Sequence, residues 1–368
     1  MTVDKGTYIA QVRPGQIVSG LFCVASKSVR QTKTGAAFIS MTLMDNSGSI
    51  EARVWDRVRE LEGLFEKGDI IHIQAEVVEF NGQCQFKVND LSALGADKRV
   101  DPAMFLPVAP IDLDGAWKQC EKAISRIENP EFKRVLEELF SEPETREAFC
   151  QAPAAKKMHH AYIGGLLEHS LNVLRLSEQI CRLYVQLDKD LMIAASICHD
   201  IGKIREFSWH RPPIDYTDQG RLLGHIVMGI QMLEKAIDTS RLNPGSRNLL
   251  ALKHVILSHH GQKEFGSPVL PMTEEALVFH MIDDLDAKLN FLNSLKKEDG
   301  EPSWTDFQRL FERYFFLRPQ EVKAGERHVG VGSGGHSANT DGNISGGDES
   351  KPSQARLWDD LTKLDRQD

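Results

Sequence analysis

Leu191-Met192-Ile193-Ala194-Ala195-Ser196-Ile197-Cys198-His199-Asp200-Ile201-Gly202-Lys203 is apolar on every side until it ends in His199-Asp200. A helix without a polar face must be buried, so these two ionisable residues enter the interior of a helical domain. Gly202 is placed to cap that end. A lone histidine there reads as a satisfied core or capping group, whereas a His-Asp pair becomes a ligand pair if partners converge on it.

Partners are present. They are His169 in Leu167-Glu168-His169-Ser170, His225 in Leu223-Gly224-His225-Ile226, the pair His259-His260, and Asp283 in Met281-Ile282-Asp283-Asp284. Each lies within or at the end of a segment with apolar residues recurring at three and four: Leu166 to Tyr184, Leu222 to Ile237, Asn248 to Leu257 and Ala276 to Leu292. Ten of the thirteen histidines fall between His159 and His280, which places the chemistry in this helical region. Burying so many ionisable groups costs several kcal/mol each unless something compensates, and a metal cluster is the usual compensation. Nitrogen and oxygen donors without thiolate suit Mn, Fe, Co, Zn or Mg. On the last helix, Val278, Ile282, Leu285 and Leu289 form the core stripe, with Asp283 at its edge. Asp284 and Asp286 then read as surface groups or as supports behind the ligands.

Before the helical region the chain favours strands, at Gln16 to Ala25, Ala36 to Met44, Ser49 to Val54, Asp69 to Val78 and Gln83 to Leu91. Asp45-Asn46-Ser47-Gly48 and Asn81-Gly82 supply turns, and Arg57 to Glu66 has helical spacing between the third and fourth strands. Five short strands with a helix at that point predict a five-stranded OB-fold β-barrel. The fold class is therefore multidomain: an N-terminal barrel over 1–98, a Pro-containing linker over 99–113 and an all-α domain over 114–322. A disordered Gly-rich tether over 323–355 and a short amphipathic helix over 356–368 follow. The tail's Gly330-x-Gly332-x-x-Gly335 has no strand before it and no helix after it, so it is no dinucleotide fingerprint.

Composition agrees with a globular protein, at 41% hydrophobic and 26% charged residues. The net charge of −9 argues against indiscriminate nucleic-acid binding and leaves room for a local basic groove. Six scattered cysteines without a C-x-x-C pair disfavour a disulfide scaffold or zinc ribbon and predict a reducing, cytoplasmic compartment. The start of the chain lacks an apolar signal core, and no uncharged run approaches the roughly 18 to 20 residues of a membrane span, so no membrane partner is expected.

The ordered motifs H…HD…H…HH…D resemble the HD superfamily of metal-dependent phosphohydrolases. Three stretches narrow the likeness: Pro153-Ala154-Ala155-Lys156-Lys157-Met158-His159-His160-Ala161-Tyr162-Ile163-Gly164-Gly165-Leu166-Leu167-Glu168-His169, Tyr216-Thr217-Asp218-Gln219-Gly220-Arg221-Leu222-Leu223-Gly224-His225 and Asp283-Asp284-Leu285-Asp286-Ala287-Lys288. With the barrel in front, residues 15 to 316 resemble the YhaM family of 3′-to-5′ exoribonucleases. The resemblance implies two divalent metal ions, Mn²⁺ first, with Co²⁺, Fe²⁺, Zn²⁺ or Mg²⁺ as alternatives. It implies that His169, His199, Asp200 and Asp283 hold one ion, and that Asp200 bridges to another held by His225, His259 and His260. Gly165 stands where trinuclear relatives place a glutamate, hence two ions and not three. Lys203 either neutralises a phosphate oxygen in catalysis or is a solvated charge at a helix end. His160, like His159, is either a substrate-side catalytic group or a polar residue at a helix start.

The implied activity is a metal-dependent phosphodiesterase that trims single-stranded RNA from its 3′ end and releases nucleoside monophosphates. Two alternatives are hydrolysis of small nucleotides and RNA binding without catalysis. Lys27, Arg30 and Lys33 cluster in the loop after the first strand and, with the candidate stacking or core aromatics Phe38 and Trp55, are the nucleic-acid-binding candidates. Phe22 and Phe86 carry the same ambiguity. Single-stranded DNA, self-association and a protein partner for the terminal helix remain open, and that helix is expected to dock on its own catalytic domain or stay disordered.

Overall fold

A computed structural model of the chain describes residues 4–95, 100–156, 160–210, 212–296 and 302–318; His159, the tether and the terminal segment lie outside them. The barrel is built from β1 (Ile17–Gln31), β2 (Ala37–Asp45), β3 (Gly48–Val54), β4 (Ile70–Phe80) and β5 (Gln83–Ala93), closed in the order β1-β2-β3-β5-β4. Neighbours are antiparallel except β3 and β5. The short helix α1 (Val58–Leu61) sits between β3 and β4, where helical spacing had predicted a longer one. Asn81 and Gly82 both take positive φ, 52° and 76°, the twist a two-residue hairpin requires. Phe22, Phe65 and Phe86 fill the barrel, so Phe22 and Phe86 are core aromatics.

β1 does not stop at Ala25. Its first half pairs with β4, and after a bulge between Val24 and Ser26 it continues to Gln31 along β2. Cross-strand hydrogen bonding outweighs the polar Ser26-Lys27-Ser28, so Lys27 and Arg30 lie on a strand and Lys33 alone stands in the turn.

The helical region comprises α2 (Leu113–Ser125), α3 (Pro130–Leu139), α4 (Pro143–Gln151), α5 (Gly165–Leu183), α6 (Lys189–Cys198), α7 (Lys203–Glu206), α8 (Asp218–Thr239), α9 (Arg247–Ser258) and α10 (Glu274–Ser294). Between α7 and α8 lies a two-stranded hairpin, β6 (Phe207–Ser208) and β7 (Asp215–Tyr216). A second small hairpin, β8 (Ser303–Trp304) and β9 (Phe316–Leu317), follows α10. α6 is buried on every face, as its composition required. On α10 the core face is Ala276, Phe279, Ile282 and Asp286, whereas Leu285 and Leu289 are exposed, contrary to the predicted stripe. The helix turns its mixed Phe279–Asp286 face inward, where Asp286 meets the rings of His160 and His169. Among the described residues no helix is long and apolar enough to cross a membrane.

The linker is more than a spacer. Phe105 is fully buried in a cluster with Leu21 and Cys23 of the barrel, and the adjacent Leu106 is buried in the helical core. Ile163 donates its N–H to the Pro107 carbonyl and accepts from the Ala109 N–H, and the Cys23 thiol donates to the Pro212 carbonyl at 3.0 Å. Phe105→Ala should destabilise by about 3–5 kcal/mol, as buried Phe-to-Ala changes do. Thermal melts should show this, with faster proteolysis near residues 95–113; an unchanged melt and digest would mean the linker clamps nothing.

Candidate metal centre

Three helices and the ends of two more converge. α5 carries His169 on its inner face, the end of α6 presents His199 and Asp200, α8 carries His225, the end of α9 presents His259 and His260, and α10 brings Asp283. Gly202 is not a left-handed cap, since its φ is −61°. Its role is close approach: a Cβ there would sit 2.0 Å from the His225 carbonyl oxygen, so glycine lets α7 lie against α8. Gly224 takes φ 73° and breaks α8 just before His225.

On one side, His169 Nε2 lies 2.9 Å from Asp283 Oδ1, 3.2 Å from His199 Nε2 and 3.6 Å from Asp200 Oδ2. His199 Nε2 lies 3.4 Å from Asp200 Oδ2 and 3.5 Å from Asp283 Oδ1. On the other side, Asp200 Oδ1 lies 3.4 Å from His225 Nε2 and 3.5 Å from His259 Nε2. These last three atoms are buried, and none makes a hydrogen bond. Ligand atoms of His225, His259 and His260 come within 4.8 Å of one another. Buried polar atoms without partners are rare, and three aimed at one point fit a cation. Asp200, 2% exposed, thus presents one oxygen to each cluster.

The imidazoles are held from behind. His169 Nδ1 donates to Asp286 Oδ2 at 2.7 Å, His225 Nδ1 to Glu206 Oε1 at 3.1 Å, His259 Nδ1 to the Ile256 carbonyl at 2.7 Å and His260 Nδ1 to the Phe265 carbonyl at 2.7 Å. Each contact fixes the tautomer and leaves Nε2 for a ligand. Burial lowers the His259 pKa, and burial with His259 and His225 nearby lowers His260 to about 3, so these rings stay neutral. Burial pulls His169 down too, but Asp283 and Asp286 outweigh it and hold the ring at about 10. Against burial, Lys203 and His199 keep Asp200 ionised, and His169 and His199 do the same for Asp283.

Lys203 is buried, with Nζ 2.6 Å from Asp200 Oδ2, which removes its reading as a solvated charge. His160 is fully buried behind His169: its Nε2 donates to Asp286 Oδ2 at 2.9 Å, and Glu168, Tyr162 and Asn290 surround Nδ1. It is a support and not a substrate-side group. Sequence reasoning left Asp286 undecided and missed Glu206; the signal for Asp286 was its three-residue spacing from Asp283. His280 was also missed. It lines a cleft of roughly 200 Å³ with His169, Asp200, Lys203, His259, His260 and Asp283, its Nδ1 donating to the His259 carbonyl at 3.0 Å. Cys198, next to His199, is no ligand: its thiol donates to the Ala194 carbonyl, and burial pushes its pKa up to about 12. At Gly165 a Cβ would stand 2.1 Å from the His160 carbonyl oxygen, so no side chain fits there.

On the barrel, Phe38 and Trp55 stack at 4.6 Å with 23° between planes, Trp55 is 40% exposed, and Arg30 lies opposite Phe38 in register. Lys33 is exposed in the turn. Lys27 is not available to a ligand, because its ammonium donates to the Glu62 and Phe65 carbonyls and pairs with Glu66. It pins the α1–β4 segment to β1.

A family model described as "HD domain" matches residues 166–288, and one described as "OB-fold nucleic acid binding domain" matches residues 24–94. The 3′-5′ exoribonuclease YhaM of Shouchella clausii is 36% identical over 309 residues, covering 83% of this chain and 95% of that one. Its namesake in Bacillus subtilis is 33% identical over 317 residues, covering 86% and 98%. Among solved structures, a domain of replication protein A from Methanococcus maripaludis is 21% identical, covering 24% of this chain and 93% of that one, with a TM-score of 0.22.

Two outcomes follow for the metal centre. Asp200→Asn should lower metal content at both clusters and abolish turnover; unchanged stoichiometry by metal analysis would overturn the bridge. Since His169 titrates at about 10 without metal, loading Mn²⁺ at pH 8 must displace a proton from it, so affinity should fall as pH falls. Calorimetry in buffers of different ionisation enthalpy should report net proton release, and none would contradict ligation by His169.

Proposed function

The chain belongs to the YhaM family of 3′-5′ exoribonucleases, and from that premise we propose that its barrel grips single-stranded RNA while its helical centre removes nucleoside monophosphates from the 3′ end. The observation that carries the chemistry is the convergence of Asp200 Oδ1, His225 Nε2 and His259 Nε2, buried and without hydrogen bonds, beside the four-residue cluster of His169, His199, Asp200 and Asp283. These seven residues, counting His260, would hold two divalent ions, for which nitrogen and oxygen donors make Mn²⁺ our first choice. Bound there, such a pair supplies Lewis-acid charge and an activated nucleophile for in-line displacement at phosphorus.

The chain's own groups do the rest. Lys203 keeps Asp200 ionised and oriented, and its ammonium, on the wall of the cleft, is placed to neutralise a phosphate oxygen. Asp286 and Glu206 orient His169 and His225 through their Nδ1 atoms, and His160 with Tyr162 keeps Asp286 in place. The exposed Trp55, stacked on the half-buried Phe38 and with Arg30 beside them, gives the barrel a face for stacking bases and attracting phosphate, which supports a strand over a small nucleotide as substrate. The cysteines that the structure describes are all free thiols, which supports a reducing, cytoplasmic setting.

Incubated with Mn²⁺, a 5′-labelled single-stranded RNA should shorten stepwise from its 3′ end and release mononucleotides, and a chelator should stop it. Early release of the label, or indifference to a blocked 3′ end, would reject this function. Asp286→Asn should weaken metal affinity about 10- to 100-fold, the usual cost of losing the group behind a ligand histidine. Equal affinity by metal titration would show that His169 orients itself.

A further inference from the structure

Asp215 of β7 holds three cations at once. Lys67, from the turn between α1 and β4, pairs with it at 2.9 Å, Arg221 of α8 at 2.9 Å, and Lys156, from the loop after α4, closes the set. One carboxylate against three cations leaves two positive charges, on a chain whose net charge is −9. Next to Asp215, Tyr216 is 38% exposed, with the Lys156 ammonium 5.4 Å and the Arg221 guanidinium 5.6 Å from its ring centroid and Phe207 packed beside it at 5.1 Å. Asp215 is committed to these partners: Lys156 first, then Lys67, hold its carboxyl well below the usual carboxylate range.

The cluster stands between the two parts of the proposed reaction. Toward the barrel, the segment bearing Lys67 is bonded to β1 at Val24, and six residues further along β1 Arg30 faces Phe38. At about 3.3 Å per residue this is about 20 Å of strand. Toward the metal centre, α7 with Lys203 and Glu206 runs directly into β6, the partner of β7, and Thr217 after β7 donates its N–H to the Glu206 carbonyl. Neither the ligand set nor the barrel's aromatic pair uses these residues.

We propose that Lys67, Lys156, Arg221 and Tyr216 form a second RNA subsite, in which Asp215 organises three cations for backbone phosphates and Tyr216 stacks a base on the way from barrel to metal centre. This rests on the ribonuclease function above. The pre-formed array spares the strand the cost of ordering three long side chains itself.

The test uses the full chain freed of metal and a 5′-fluorescein single-stranded RNA of about 20 nucleotides, long enough to leave one barrel and reach further. Anisotropy is read across a KCl series. Lys67→Ala and Arg221→Ala should each weaken binding severalfold and flatten the salt slope by about one; Arg221→Lys should restore the slope. Tyr216→Ala should weaken binding about tenfold with the slope kept. Asp215→Asn should hold or tighten binding and steepen the slope, since it raises the local charge from two to three. Unchanged affinity and slope in Lys67→Ala and Arg221→Ala would overturn the subsite. So would Asp215→Asn losing as much binding as they do, because the cluster would then be a latch between barrel and helices. Trimming of the same RNA by the unaltered protein with Mn²⁺ separates the two ideas. If it trims and the variants bind normally, only the subsite falls; if it does not trim, the ribonuclease function falls as well.

Discussion

A carboxylate with 2% exposure, Asp200, turns its two oxygens toward two different clusters of side chains. Its burial would cost several kcal/mol if it stood alone. Lys203 and His199 answer one oxygen; the other faces His225 and His259 without a hydrogen bond. The helices around it are arranged to bring those groups within reach, and a fold that needs such convergence has little freedom in where α5, α8, α9 and α10 lie. A cation between the rings turns the same arrangement from a liability into a stabilising core.

Four ligand histidines are each anchored through Nδ1, two by carboxylates and two by backbone carbonyls at helix or loop ends. Their electrical surroundings differ. At His169 the carboxylates of Asp283 and Asp286 favour a proton when no metal competes, whereas burial keeps His259 and His260 neutral. An ion arriving at His169 must therefore displace a proton, whereas at His259 and His260 it meets rings that are already neutral.

Much of this was legible in the sequence because apolar periodicity reports burial, and five strand runs and five long helical runs have the period that burial imposes. The convergence of the candidate ligand histidines was legible for a related reason, each being an ionisable residue inside or closing an apolar run. Contacts between segments distant in sequence were not legible. Lys27 looks like a surface charge until α1 folds over it, and Phe105 and Leu106 look like linker until two cores meet around them. Gly202 carried a plausible local meaning as a cap, whereas its reason is the carbonyl of His225 on another helix. Leu285 and Leu289 misled because apolar character alone does not say which face of α10 the acidic residues claim.

Gly165 has a consequence for how such a site can change. Its missing Cβ is the space taken by the His160 carbonyl, and the His160 ring holds the Asp286 carboxylate that steadies His169. A carboxylate introduced at 165 to recruit a further ion would first have to push that carbonyl aside. The displacement would travel through His160 and Asp286 to a ligand of the existing centre. In evolutionary terms Gly165 is a local trap: a single substitution there toward an added carboxylate would first loosen the orientation of His169.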